Sequence, residues 1–183
     1  YSWSVLKSYA SDTVKPGNVL GAQSPVSIGS HVFIGVNALI TRGVTIADHV
    51  IIGAGSVVTK DCAAEGVYAG NPAKRLMSME EFYRKRSALQ FSEARQLALQ
   101  YRQRMGKKPP MEIFSEYFSL FSTGEEAEKN PVFRAQMERM GNFADCARYM
   151  REHKPMFPDY ESFLAACYRQ DWCYADTFQL LDP

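Results

Sequence analysis

Two kinds of side chain stand at spacings that could serve chemistry. His31 and His49 are eighteen residues apart. In a fold that adds one layer per eighteen residues, their rings would lie near the strand spacing of about 4.8 Å, close enough to suggest metal binding or proton transfer. Lys60, Lys74 and Arg75 can bring three cations to one end of the same block. Such a cluster suits a phosphate-bearing ligand, and equally a solvated edge. His153 stands alone beside Lys154-Pro155 and reads as a surface residue. Cys62, Cys146, Cys167 and Cys173 are scattered without pair spacing. They read as free thiols in a reducing compartment, and no metal site is expected from them.

Both histidines fall within a strict repeat. Ile28, Ile34, Ile40, Ile46, Ile52 and Val58 recur at every sixth position. Val32, Ala38, Val44, Val50 and Ser56 lie four residues after the successive members of that file. The residue following each member is small: Gly29, Gly35, Thr41, Ala47, Gly53 and Thr59. The third after each is His31, Asn37, Gly43, His49, Gly55 or Asp61, types that best tolerate a left-handed backbone. A helix would return its apolar residues at three and four, and a simple strand at two. A period of six predicts a solenoid in which each unit supplies one short strand and one corner, three units closing a triangular coil of roughly eighteen residues. The backbone demand of the corner accounts for His31 and His49 by itself.

The elements that position these residues divide the chain into three parts. Residues 1–25 form a loop region with Tyr1, Trp3 and Tyr9 and a Pro16-Gly17-Asn18 turn signal. It reads as the wall of an acceptor pocket or as a surface loop pinned by its aromatics. Residues 26–77 hold the coils, which stop at Asp61, and an exit segment rich in glycine that crosses the last coil. Residues 78–183 are helical. Ser78 and Glu81 form a capping box for a helix to about 105, with Phe82, Leu89, Leu97, Tyr101 and Met105 as its apolar face. Further helices are expected over 111–121, from Asn130-Pro131 to 140, over 143–152, and from Asp159 to 168. Their aromatic and methionine-rich faces pack on one another or receive a partner.

With 183 residues, 46% of them hydrophobic, the chain can build one sizeable core or two small ones. A net charge of +1 provides no field for nucleic acid or an anionic membrane. No segment approaches the roughly twenty apolar residues that span a bilayer, and no charged-then-apolar stretch opens the chain. The expected location is cytoplasmic. Because the repeat covers few coils and the sequence opens at Tyr1, the chain is expected to be the C-terminal portion of a longer protein.

The file of branched residues, followed by Val57-Val58-Thr59-Lys60-Asp61 and by Ala69-Gly70-Asn71-Pro72-Ala73-Lys74, resembles the hexapeptide-repeat acyltransferases. Within them it resembles the maltose, galactoside and xenobiotic O-acetyltransferase branch. The resemblance covers residues 25–76 and extends more weakly to Tyr1-Ser2-Trp3, which is similar to a Thr-Tyr-Pro-Phe stretch of the xenobiotic enzymes. It says nothing about the helical region. It implies a left-handed parallel β-helix that assembles as a homotrimer and binds acetyl-CoA in a groove between neighbouring subunits. Val36 and Ala54 would offer backbone groups to the pantetheine arm, and Phe33 would stand where many members carry tryptophan. Thr59 and Lys60 would meet the nucleotide end, Lys74 and Arg75 its phosphates, while Tyr1 and Trp3 would touch the acceptor. The family's general base is a histidine that precedes the aromatic stretch, so its equivalent is expected before Tyr1. None of His31, His49 or His153 aligns with it.

The expected activity is O-acetyl transfer to a hydroxyl of a sugar or glycoconjugate, in bacterial surface-polysaccharide assembly. The alternatives are a xenobiotic acetyltransferase acting on an antibiotic and a non-catalytic trimeric scaffold with a partner-binding helical region. A zinc enzyme of the γ-type carbonic anhydrase kind needs three converging histidines, and only His31 and His49 lie in the coils.

Overall fold

The computed structural model describes residues 23–169. The expectations for Tyr1, Trp3, the loop preceding the coils and Cys173 lie outside the described residues. The chain divides into two compact units between Phe82 and Tyr83.

Six short strands open the first unit: β1 (Ser27–Ile28), β2 (Phe33–Ile34), β3 (Leu39–Ile40), β4 (Thr45–Ile46), β5 (Val50–Ile52) and β6 (Val57–Val58). Successive strands enter different sheets, and β1 pairs with β4, β2 with β5 and β3 with β6, all in parallel. Ile28 faces Ile46, Ile34 faces Ile52 and Ile40 faces Val58, so each layer repeats after eighteen residues. The apolar file points inward. Ile46, Ile52, Val58, Val44 and Val50 are buried, whereas Ile28 and Ile34 stay nearly half exposed. Ser56 takes an apolar position in this core, and its Oγ accepts the Gly70 N–H at 3.2 Å, which removes the cost of burying the hydroxyl.

The corners follow the column of left-handed residues. His31, Asn37 and His49 have φ of 55°, 59° and 55°, and Gly43 and Gly55 have 78° and 68°. Asp61 leaves the column. Its carboxylate accepts the Thr45 N–H at 2.8 Å instead. Gly35 lies so close to the next layer that a Cβ there would stand 2.4 Å from the Ala54 nitrogen.

Contrary to the sequence expectation, the coil does not stop at Asp61. Cys62 bridges Ile46, and β7 (Gly66–Ala69) adds to β5 in parallel with Val50 facing Gly66. The offset is now sixteen residues, and that contraction by two puts the third layer out of phase with a six-residue ruler. The chain then turns through a cis Asn71–Pro72 peptide, and β8 (Lys74–Met77) returns antiparallel to β7.

The helices are α1 (Met79–Met105), α2 (Gly124–Lys129), α3 (Pro131–Arg139), α4 (Phe143–Glu152) and α5 (Tyr160–Tyr168). The Ser78–Glu81 capping box is formed: Ser78 Oγ accepts the Glu81 N–H, and the Glu81 carboxylate accepts the Ser78 N–H. The apolar face read for α1 was misplaced. Its buried residues are Ala88, Phe91, Ala94 and Ala98, while Met105 is exposed and Phe82, Leu89, Leu97 and Tyr101 are only partly covered. Phe91 and two of the alanines enter the core, and Leu97, from the expected face, packs at its margin.

The helix expected over 111–121 is instead two 3-10 turns, Met111–Phe114 and Phe118–Leu120. Phe118 and Leu120 would point about 200° apart on one α-helix, and breaking it buries both. The sequence reading also missed α2, although Thr123 and Glu126 form a complete capping box at its start. The core of this unit is aromatic. Phe114 meets Phe163 edge-on at 5.1 Å, and Phe118 stacks on Phe133 at 4.8 Å. Among the described residues no helix is long and apolar enough to cross a membrane.

Replacing Ile52 by Ala should cost about 2–5 kcal/mol in urea unfolding, and Ile28→Ala clearly less, because only the first empties a closed layer. Burial lifts the Cys167 thiol from 9.0 to about 12. The folded state therefore holds a proton that the unfolded chain releases, so its contribution is complete below pH 9 and lost as pH rises toward 12. Cys167→Ala should flatten the fall of the melting temperature across that alkaline range.

Candidate functional site

The corner between the β2–β5–β7 sheet and the β3–β6 sheet forms an edge that runs from layer to layer. Val36 and Ala54 occupy the same position in successive coils, and the Gly55 N–H donates to the Val36 carbonyl at 2.9 Å. Gly35 and Gly53 hold the layers close, since a Cβ on Gly53 would come within 2.9 Å of Ala69 Cβ. At the third layer the Val57 N–H donates to Gly70 and the Ala73 N–H to Val57. The edge thus continues into the turn that ends at Lys74.

The side chains along it are exposed and apolar. Phe33 is 63% and Val36 76% accessible, and Leu39 and Ala54 are open as well. Among the described residues, neither the Val36 nor the Ala54 N–H is bonded within the protein. This is a strip of apolar surface with free backbone donors, suited to an extended chain that carries its own amide carbonyls.

The cations expected to cluster have separate fates. Arg75 is engaged: its Nε donates to the Glu65 carbonyl at 2.9 Å, and its guanidinium pairs with the Glu65 carboxylate at 3.3 Å. The other oxygen of Glu65 accepts the Met79 N–H, the first of α1, at 2.7 Å. Glu65 therefore ties the exit strand to the start of the helix, a role that nothing in its spacing announced. Lys60 and Lys74 are exposed and make no ion pair among the described residues. The Ala73–Val57 hydrogen bond places Lys74 beside the strand that leads through Val58 to Thr59 and Lys60.

Sequence reasoning missed Arg42. Ile40 faces Val58, and the Thr41 N–H donates to Val58 at 2.9 Å, so the register carries Arg42 alongside Lys60 in the layer below. The signal was available: both stand two residues after a member of the apolar file.

His31 and His49 do stack, with ring centroids 4.9 Å apart and planes within 8°. Parallel rings do not converge their lone pairs on one ion at the roughly 2.0–2.1 Å that zinc needs. Their common feature is the left-handed backbone beneath them. Ser30 N–H donates to the Asp48 carboxylate at 2.6 Å and the His49 N–H to the Ser30 carbonyl at 3.0 Å, which fixes this corner between layers. In the core beneath, burial and the neighbouring Asp61 raise the Cys62 thiol above its ordinary value, so it stays protonated at neutral pH. His153 lies in the second unit.

Residues 25–60 match the family described as the hexapeptide repeat of succinyl-transferase. No curated protein matches the chain. Among solved structures, a maltose O-acetyltransferase from Clostridium difficile 630 is 53% identical over 30% of this chain and 29% of its own, with a TM-score of 0.30. PerB from Caulobacter crescentus, solved in complex with CoA and GDP-perosamine, is 41% identical over 30% of this chain and 26% of its own, with a TM-score of 0.29. A hexapeptide transferase family protein from Anaplasma phagocytophilum is 27% identical over 32% of this chain and 38% of its own, with a TM-score of 0.29. The matched part of this chain spans well under half the length of each.

If the histidine corner is conformational, His49→Asn and His49→Gly should unfold at nearly the urea concentration of the parent. His49→Val, which resists positive φ, should lose about 1–2 kcal/mol.

Proposed function

We propose that this chain is part of an acetyl-CoA-dependent O-acetyltransferase, a reading supported by the match of residues 25–60 to the hexapeptide repeat of succinyl-transferase. The observation that carries the reading is the exposed corner edge, with its free Val36 and Ala54 N–H groups and the unpaired Lys60 and Lys74 beside its upper end. Acetyl-CoA has a matching order of parts: an apolar and amide-bearing arm, then phosphates. Bound there, it supplies an acyl group activated as a thioester.

In this assignment the Val36 and Ala54 backbones hold the pantetheine amides and Phe33 walls the thioester end with an apolar ring. Thr59 and Lys60 meet the nucleotide, with Arg42 adding charge from the layer below, and Lys74 faces the phosphates. Arg75 acts one step removed, because its bonds to Glu65 set the course of the strand that carries Lys74. An acceptor hydroxyl attacks the thioester carbonyl, its proton passing to a general base, and the C–S bond breaks as the acetyl ester forms. The base is assigned to none of His31, His49 and His153.

The finer reading is a left-handed β-helix whose groove is completed by neighbouring subunits of a homotrimer. The exposed Phe33, Val36 and Leu39 are the surfaces that such neighbours and the ligand would share. The proposed acceptor is a hydroxyl of a sugar or glycoconjugate, modified in the cytoplasm during bacterial surface-polysaccharide assembly.

Calorimetry with acetyl-CoA should give micromolar binding, weakened about tenfold, or 1.4 kcal/mol, by Lys60→Ala and by Lys74→Ala. Arg42→Ala should weaken it less. A folded protein that takes up no acetyl-CoA would favour the scaffold reading over any transferase.

A further inference from the structure

The helical unit contains a cavity of about 230 Å³ that the acyl-transfer reading does not use. Tyr83, Ser87 and Gln90 line one side, spaced at i, i+4 and i+7 on a single face of α1. Ser119 comes from the second 3-10 turn, and Tyr149 and His153 from the end of α4. The buried Leu120 and Met150 form its apolar floor.

Several polar groups here face solvent and are open to a ligand. Among the described residues, the Ser87 and Ser119 hydroxyls and the Gln90 amide make no hydrogen bond within the protein. His153 Nδ1 lies 2.9 Å from the Tyr149 carbonyl and must donate to it, which leaves Nε2 as an acceptor in the neutral ring. Its imidazole stacks on the Tyr149 ring at 4.0 Å, the planes within 16°. Burial, with Tyr83 hydrogen-bonded alongside, raises the Tyr149 phenol above its ordinary value and keeps it a neutral hydroxyl. Among the described residues no carboxylate lines the cavity, and Lys154 is its one lysine or arginine.

This combination selects a ligand class. Neutral groups that both donate and accept demand a partner that does the same at several points. The Tyr149–His153 stack leaves one outer ring face for a ligand, and such a face suits a surface of C–H bonds. A pyranose ring has both, with hydroxyls around its rim and axial C–H groups on its face. At about 30 Å³ per water, the cavity equals some seven or eight waters, room for one sugar residue. A cation would find no counter-charge here, and a purely apolar ligand would strand the polar groups.

We propose that this cavity is a saccharide-binding site of the helical unit, with Tyr149 and His153 as the stacking wall and Ser87, Gln90 and Ser119 as the hydroxyl contacts. The inference does not rest on acyl transfer, since every residue it uses belongs to the second unit.

The test is saturation-transfer NMR on the whole chain with the methyl glycosides of glucose, mannose and N-acetylglucosamine at millimolar concentration. At least one glycoside should show saturation of its ring protons. That signal should fall severalfold in Tyr149→Ala and in Gln90→Leu, both with the melting temperature of the parent. Acetyl-CoA calorimetry on the same two variants should be unchanged, which separates this site from the transferase edge. No transfer to any of the three glycosides, or transfer that survives both substitutions, overturns the proposal.

Discussion

Layer-to-layer register in the first unit depends on a single backbone constraint. At each of the five corners before Asp61 one residue adopts positive φ, so that the chain leaves one sheet and enters the next at the right angle. His31, Asn37, Gly43, His49 and Gly55 meet that demand in turn. Given those corners, a strand returns above its predecessor after eighteen residues, and the branched file stacks into a core only a few side chains wide. The close approach at Gly35 and Gly53 follows from the same geometry. At that same corner the Gly55 N–H donates to the layer below, while the Val36 and Ala54 N–H groups find no partner among the described residues.

The exit from the coil depends on one carboxylate. Glu65 holds Arg75 through both its carbonyl and its side chain, and caps the first N–H of α1 with its remaining oxygen. As an exposed pair its ionic part contributes little to stability. Its consequence is directional. The bonds that aim Arg75 at Glu65 leave Lys74 and Lys60 as the open cations, and the register adds Arg42.

The helical unit solves a different problem. Phenylalanines crowd its sequence, and they pack in edge-on and stacked pairs around Phe114, Phe133 and Phe163. That packing outweighs local preference. It breaks the expected second helix into two 3-10 turns and turns the alanine side of α1 inward. The hydroxyls that line the cavity come from separate elements, Ser87 on α1 and Ser119 on the second 3-10 turn.

The repeat and its corners were legible in the sequence because each such residue answers to its own backbone. A six-residue phase states which side chain points inward and which φ is required, and no distant contact is needed to decide it. The helix starts at Ser78, Asn130 and Asp159 were legible for the same reason, a cap being local chemistry. The third coil layer was not, because its two-residue contraction is settled by pairing with β5. The alignment of Arg42 with Lys60 follows the eighteen-residue repeat and was open to the same reading, but neither the pairing of Arg75 with Glu65 nor the grouping of Ser87, Gln90, Ser119 and Tyr149 around one cavity was legible. Each of these last two joins residues whose separation along the chain obeys no period, and only the packed structure brings them within reach of one another.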